Sequence, residues 1–407
     1  MSTVNDQAHI IPPALEEYVT LPEIGGELLV FEGQFTLKAG EKECGVDGKV
    51  FYSFCEKIQL LMEGEVDGSG AIVWFWGTVD LIIDGSFSGR VFIERNQGER
   101  IWGSVYHLEN KRSSSCVSFR WCYFNAPKIF GDCVRRGRNV ATDRLVFQAG
   151  GYQVKLENVA GFQPQKRHRK ISHICELTRQ DGEPITAEAA IDEIRLFSRF
   201  VSFFAGCQHA PFFIEGLDGV AIRYEFHSVG HEKSLVGVSS WKPDFKDRDL
   251  VSLWPKFRAK CYESPDRYDV LNTVIHWYLE ANMNSGLLEG AVLLGFTGLE
   301  LLSKEIVGKE LGNQEIVEDF LTRLHISIKL RPEEISLTRN YLTHYKTEER
   351  RRRYTSLTFE EKFFRLEIIL HILELAILYW LGYEGHYKDR FGSKWRGEDV
   401  KLVPWMS

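Results

Sequence analysis

Between residues 26 and about 159, apolar positions fall in short runs and partial alternations instead of at helical spacing. Segments such as GELLVFEGQFTL, KVFYSFCEKIQLLMEG, AIVWFWGTVDLII and IWGSVYHLE are rich in the β-branched and aromatic residues that suit strands. Asp67-Gly68-Ser69-Gly70 and Asp84-Gly85-Ser86 punctuate them as turns do. A strand every 10 to 15 residues or so predicts an antiparallel sandwich or open barrel. One helix interrupts this pattern: Ile191, Ile194, Phe197, Val201 and Phe204 recur at three- and four-residue steps, with Thr186 as its cap and Gly206 as its end. PFFIEG and GVAIRYEFHSV return to strand character, so the helix reads as an addition to the β-rich domain.

After Trp241 the periodicity changes. DRDLVSLWPKFRAK opens a helical pattern, and five further helix candidates follow between residues 268 and 382. The last begins with Thr358-x-x-Glu361, a capping box in which each side chain satisfies an orphan amide of the first turn. Pro332 suits the first turn of the helix before it. The expected fold is α+β and multidomain. Residues 1–245 form a β-rich domain (sandwich or open barrel with an added helix) and 246–261 a connecting helix. Residues 262–384 form an all-α bundle, and 385–407 a C-terminal tail.

A length of 407 residues is compatible with these two cores, and an aromatic content of 13% can fill them. The net charge of −7 argues against a protein that coats nucleic acid non-specifically, because such binding needs surplus cations. The first 18 residues lack a basic and apolar leader, and the most apolar stretch, 366–381, is broken by Glu367, His371 and Glu374. Eight cysteines without a C-x-x-C pair suit a reducing cytoplasm. His173, Cys175, Cys207 and His209 have zinc-compatible side chains, but alternation along a strand puts such pairs on one face for any purpose. No metal or other cofactor is expected. There is also no Walker A loop, G-x-S-x-G elbow, H-E-x-x-H or dinucleotide fingerprint.

The sharpest local feature is Arg339-Asn340-Tyr341-Leu342-Thr343-His344. Histidine can give or take a proton near neutral pH, and arginine presents a permanent planar fork to phosphate oxygens. Asn340 and His344 are four residues apart and share a helix face. Arg339 lies about 140° round the helix from His344, so only its long side chain can converge on the same phosphate. Other Arg/His spacings occur at Arg100/His107, Arg167/His173 and Arg365/His371, and context must separate them. Residues 323–353 hold nine Lys/Arg against four Asp/Glu, with Lys346 and the run Arg350, Arg351, Arg352, Arg353 just after the motif. Such a run is either a solvated face or a local concentrator of polyanion. Tyr341 has a ring that can stack on a base or pack in the bundle. Glu300, in the second bundle helix, can orient Arg339 or His344. Lys166, Arg167, Arg169 and Lys170 form a second basic patch.

In this context the R-N-x-x-x-H motif resembles that of HEPN ribonucleases. The helix order resembles the HEPN domains of abortive-infection proteins of the ApeA type, which also carry a larger β-rich N-terminal region. That resemblance implies a metal-independent endoribonuclease in prokaryotic anti-phage defence, with structured RNA such as tRNA among its targets. It implies a homodimer that pairs two motif helices, and products with 2′,3′-cyclic phosphate and 5′-hydroxyl ends. Arg339, Asn340 and His344 would be catalytic. Lys346, Arg350, Arg351, Arg352, Arg353 and Tyr341 would bind RNA. The β-rich domain would sense a trigger, phage-derived or a regulatory partner. Two other readings stay open: a non-catalytic ligand-binding β-domain on a HEPN dimerisation scaffold, and the toxin half of a HEPN/nucleotidyltransferase pair.

Overall fold

A computed structural model describes residues 11–20, 26–55, 58–66, 77–83, 85–97, 99–161, 170–229, 239–284, 287–343, 352, 354–392 and 398–406, with the side chains of 96, 97 and 111 excepted. The fold is α+β, with a β-rich N-terminal region and a helical C-terminal region. Chain contacts divide it into two units. The β-rich unit comprises Met1–Phe147, Gly151–Ala190 and Pro211–Gly230, and the helical unit Gln148–Gly150, Ile191–Ala210 and His231–Ser407.

The β-rich unit begins with β1 (Glu27–Ala39), β2 (Lys42–Phe54), β3 (Ile58–Val66), β4 (Gly77–Ile83), β5 (Phe87–Gln97) and β6 (Arg100–Lys111). They pair in the order β3-β2-β1-β4-β5-β6, and a β3–β6 ladder from Leu61↔Ser104 to Glu65↔Arg100 closes them into a six-stranded barrel. Alternating side chains fill it, as on β5, where Val91 and Ile93 are buried and Phe92 is exposed. On β4, Val79, Leu81 and Ile83 are buried while Thr78 and Asp80 face water. Full closure removes the exposed edges that an open sheet would leave.

The remaining strands are β7 (Ser115–Cys116), β8 (Ser118–Phe124), β9 (Asp132–Arg136), β10 (Asn139–Ala149), β11 (Tyr152–Asn158), β12 (Ile171–Arg179), β13 (Ile185–Thr186), β14 (Phe212–Asp218) and β15 (Ala221–Ser228). From β6 the sheet runs on through β15-β14-β8-β12-β11-β10-β9, so barrel and open sheet share one strand.

Helix α1 (Ala187–Ala205) forms where the periodicity predicts it. Thr186 Oγ1 accepts a hydrogen bond from the Ala189 amide, and Gly206 ends the helix at φ +73°. From Ile191 onward, however, it belongs to the helical unit and not to a domain 1–245. Its aromatic face is the reason: Phe197 and Phe200 pack on Trp254, and Phe203 on Trp241 and Tyr278, with ring centroids 5.2–5.8 Å apart.

The expected connecting helix, α2 (Arg248–Tyr262), is likewise a core element that buries Leu250, Leu253, Trp254 and Phe257. The five bundle candidates form α3 (Pro265–Asn282), α4 (Leu287–Val307), α5 (Asn313–Arg323), α6 (Pro332–Thr343) and α7 (Phe359–Trp380). α7 starts with the expected box: Thr358 Oγ1 accepts from the Glu361 amide, and Glu361 Oε2 from the Thr358 amide. Its middle is buried and largely apolar, with His371 and Glu374 as the polar exceptions, as in a helix at the centre of a bundle. α4 lies close against it, because a Cβ on Gly295 or Gly298 would sit 3.0–3.1 Å from Ile369 or Leu373.

The segment expected to be a tail is folded. β16 (His386–Lys388) pairs with β17 (Val400–Leu402), and a 3-10 turn, Pro404–Met406, follows. Among the described residues, no helix is long and apolar enough to cross a membrane.

Candidate functional site

Helix α6 buries Ile335, Thr338 and Tyr341, whose spacing of three marks one face, and leaves Arg339 and Asn340 half-buried outside that face. Both are tied to other helices. Arg339 Nη2 lies 3.0 Å from Glu300 Oε1 of α4, and its Nη1 donates to Thr343 Oγ1 at 3.1 Å. The side chains of Arg339 and Glu300 are 23% and 29% exposed. The guanidinium thus runs along the helix toward its C-terminal end, where residue 344 follows. Asn340 Oδ1 accepts from Asn313 Nδ2 at 2.9 Å, and Asn313 opens α5. Glu300 had a sequence signal only as a polar residue in an apolar helix; Asn313 had none.

The other expected residues fare differently. Tyr341, expected to offer its ring to a base, is 8% exposed and drawn in among the helices. Arg352 is exposed, and its carbonyl accepts from the Ser356 amide. His344, Lys346, Arg350, Arg351 and Arg353 lie outside the described residues, as do Lys166, Arg167 and Arg169 of the second basic patch. Lys170 is exposed.

The rival Arg/His spacings separate on geometry. Arg100 and His107 sit seven residues apart on β6, roughly 20 Å along the strand, too far to act on one phosphate. His173 is buried, with Nδ1 2.9 Å from Ser172 Oγ. Arg365 donates to the Glu334 carbonyl and to Thr338 Oγ1, bracing α7 against α6. His371 is 3% exposed between the rings of Tyr387 and Phe391, and burial pushes its pKa down to about 4. An imidazole held neutral inside the core is not placed to exchange protons with a substrate. Of the four zinc-compatible side chains, His173 and Cys175 belong to the β-rich unit and Cys207 and His209 to the helical one. Cys207 Sγ contacts His209 Nε2 at 3.5 Å. Among the described residues, no group of three or more His, Cys, Asp or Glu is arranged to hold a metal ion.

Two polar arrangements had little or no sequence signal. The first is in the helical unit. Arg390, 1% exposed, donates from Nε and Nη2 to both oxygens of Glu374, from Nη1 to Glu367 and from Nη2 to Asn282. Tyr278 donates its hydroxyl to Glu374 at 2.6 Å. The hint was that Glu367 and Glu374 interrupt an apolar helix seven residues apart, on one face; a buried carboxylate needs a partner. The second is a polar row across the open sheet of the β-rich unit. It runs Lys155↔Glu176↔Arg120↔Glu215↔Glu225 and ends on buried Asn110. Burial, and then the facing Glu225 carboxylate, push Glu215 up to about 7. The barrel also carries a cleft of about 410 Å³ lined by Glu32, Asp47, Lys49, Glu63, Arg100 and Trp102 among others. Its carboxylate excess does not suit a polyanion.

Comparison with known proteins bears on both units. Residues 110–228 match the YopA central domain, and residues 327–401, which include α6 and α7, match the YopA C-terminal domain. No solved structure matches the chain. Over 97% of its length and 98% of the relative's, the chain is 22% identical to the SPbeta prophage-derived uncharacterized protein YopA of Bacillus subtilis (strain 168).

Proposed function

We propose that the chain is an endoribonuclease of the HEPN class, acting in the prokaryotic cytoplasm in anti-phage or abortive-infection defence. One observation carries this reading. Arg339 is part-exposed, fixed by Glu300 and Thr343, and directed to the C-terminal end of a bundle helix, where the sequence continues to His344. The similarity to a prophage-derived protein suits a phage-related setting.

The chemistry follows from the residue types. The 2′-oxygen of a ribose attacks the adjacent phosphorus, its proton passing to a base. The bond to the 5′-oxygen breaks, and an acid protonates that oxygen, leaving 2′,3′-cyclic phosphate and 5′-hydroxyl ends. His344 is the proton-transfer group, and a second copy related by a two-fold axis supplies its counterpart. Arg339 binds the scissile phosphate as charge develops, and Asn340 orients the site. Lys346 and the arginines at 350–353 hold flanking phosphates, tRNA being one structured target of that form. This scheme asks no metal of the protein. The β-rich unit takes the role of sensing a trigger or positioning the RNA.

Incubating the purified chain with total RNA in EDTA tests the reading. Wild type should cleave, and Arg339→Ala and His344→Ala should each lose about a hundredfold or more. Equal cleavage by all three proteins overturns the assignment. Growth arrest on expression, abolished by the same substitutions, is the cellular counterpart.

A further inference from the structure

We infer that Glu300 and Asn313 are positioning residues, one for each of the two consecutive motif residues Arg339 and Asn340. The inference rests on the endoribonuclease reading and goes beyond it. It gives the site two members from outside the motif helix, and it makes Asn340 a residue held in place by a neighbour.

The need for such residues is geometric. An arginine side chain exposed on a helix samples many rotamers, and ordering it costs up to about 2 kcal/mol of side-chain entropy. A transition-state stabiliser must already be in place when charge develops. Arg339 meets that demand through two anchors on one guanidinium: the Glu300 carboxylate at 3.0 Å on Nη2 and the Thr343 hydroxyl at 3.1 Å on Nη1. Thr343 is itself braced, donating its hydroxyl to the Arg339 carbonyl at 3.2 Å. Asn340 is fixed by a separate helix, through the 2.9 Å bond from Asn313. Helices α4 and α5 therefore each hold one motif residue at the last turn of α6. Both pairs are half-buried, so solvent screens them and a substrate can still reach them.

The position of Glu300 has a consequence that a purely structural contact lacks. Its carboxylate offsets part of the charge that Arg339 presents to a polyanion. Removing it raises the local positive charge, which favours RNA in the ground state, while freeing the guanidinium lowers the rate of the chemical step. KM and kcat should therefore separate.

The test uses the full chain and a defined RNA cleaved in EDTA. Glu300→Ala should lower kcat about ten- to a hundredfold while KM stays level or falls. Glu300→Gln keeps an acceptor at the same place and should recover most of kcat. Asn313→Ala suits the start of a helix yet removes every group that can bond the Asn340 amide, so it should lower kcat about tenfold with little change in Tm. In an Arg339→Ala background, Glu300→Ala should cause no further loss, because the two act as one unit. Unchanged kcat in Glu300→Ala and Asn313→Ala overturns the inference, and so does a parallel loss of kcat and Tm that Gln at 300 does not repair. Cleavage by wild type that persists in Arg339→Ala brings down the endoribonuclease reading instead, whatever the Glu300 variants do. A wild type that neither cleaves RNA nor arrests growth brings down both.

Discussion

Two of the arginines that glutamates hold in the helical unit, Arg390 and Arg339, differ chiefly in burial. Arg390 and Glu374 are each 1% exposed, and every donor group of Arg390 has a protein acceptor. Arg339 and Glu300 are a quarter exposed, with one ion pair and one hydroxyl contact. A fully desolvated pair is expensive to break, because removing one partner strands the other charge in the core. It has no group left for a ligand. A half-exposed pair adds little to stability, but its guanidinium can exchange or share its partner with an incoming phosphate. The same two residue types thus pin the C-terminal hairpin to the bundle at one place and present a cation to solvent at another.

The largest effect should come from breaking the buried pair. Arg390→Ala should cost about 3–5 kcal/mol in urea unfolding, since Glu374 keeps its charge without a counter-ion. Replacing both partners, Arg390→Met with Glu374→Leu, should recover much of that loss. A double variant no more stable than Arg390→Ala would show that the network does more than compensate charge.

Acid should act next, through His371. The unfolded chain binds a proton on this ring near its ordinary pKa of 6.5, and the folded chain only near 4, because burial disfavours the imidazolium. Below 6.5 the unfolded state therefore binds more protons, and stability should fall as pH drops from about 6.5 to 4. His371→Leu should flatten that part of a urea-midpoint profile. Glu215 in the β-rich unit has the opposite sign. Its folded pKa of about 7 exceeds the ordinary 4.5, so its contribution is full below 4.5 and is lost as pH rises through about 7. Glu215→Gln should remove that alkaline loss; an unchanged slope between pH 5 and 8 would place the titration elsewhere.

Smaller still is the stability cost of opening the half-exposed pair. Arg339→Ala should change unfolding free energy by less than about 1 kcal/mol, while it removes RNA cleavage. A drop as large as that of Arg390→Ala would erase the contrast between the two arginines. Last comes Arg331, whose side chain is 75% exposed beside Glu334. Arg331→Gln should shift stability by under about 0.5 kcal/mol and leave cleavage alone.

Much of the helical unit was legible before its structure. The capping box at Thr358 and Glu361, the Pro332 start and the five bundle helices are local features, each set by residues within a turn or two of one another. The strands of the barrel were legible for the same reason, through their β-branched and aromatic runs and the alternation of Val91, Phe92 and Ile93 on β5. Closure of the barrel was not, because the β3–β6 ladder joins residues about 40 positions apart. Nor was the boundary near residue 190. The amphipathic pattern of α1 says that Phe197, Phe200 and Phe203 face a core, but not which core. Only the rings of Trp241, Trp254 and Tyr278 decide that.

The candidate site divides along the same line. Sequence alone determined which side chains can do phosphoryl chemistry and that Arg339, Asn340 and His344 fall within six consecutive residues. It determined the cation-rich stretch after them, on a chain of net charge −7. The tertiary structure decided that His173 and His371 are buried and that Arg365 braces α7 against α6, while Arg339 stays a quarter exposed. It decided the partners Glu300 and Asn313, which reach the motif from 39 and 27 residues away. It also turned a supposed tail into the hairpin that carries Arg390. Periodicity reports which face a residue occupies; only packing brings distant faces together.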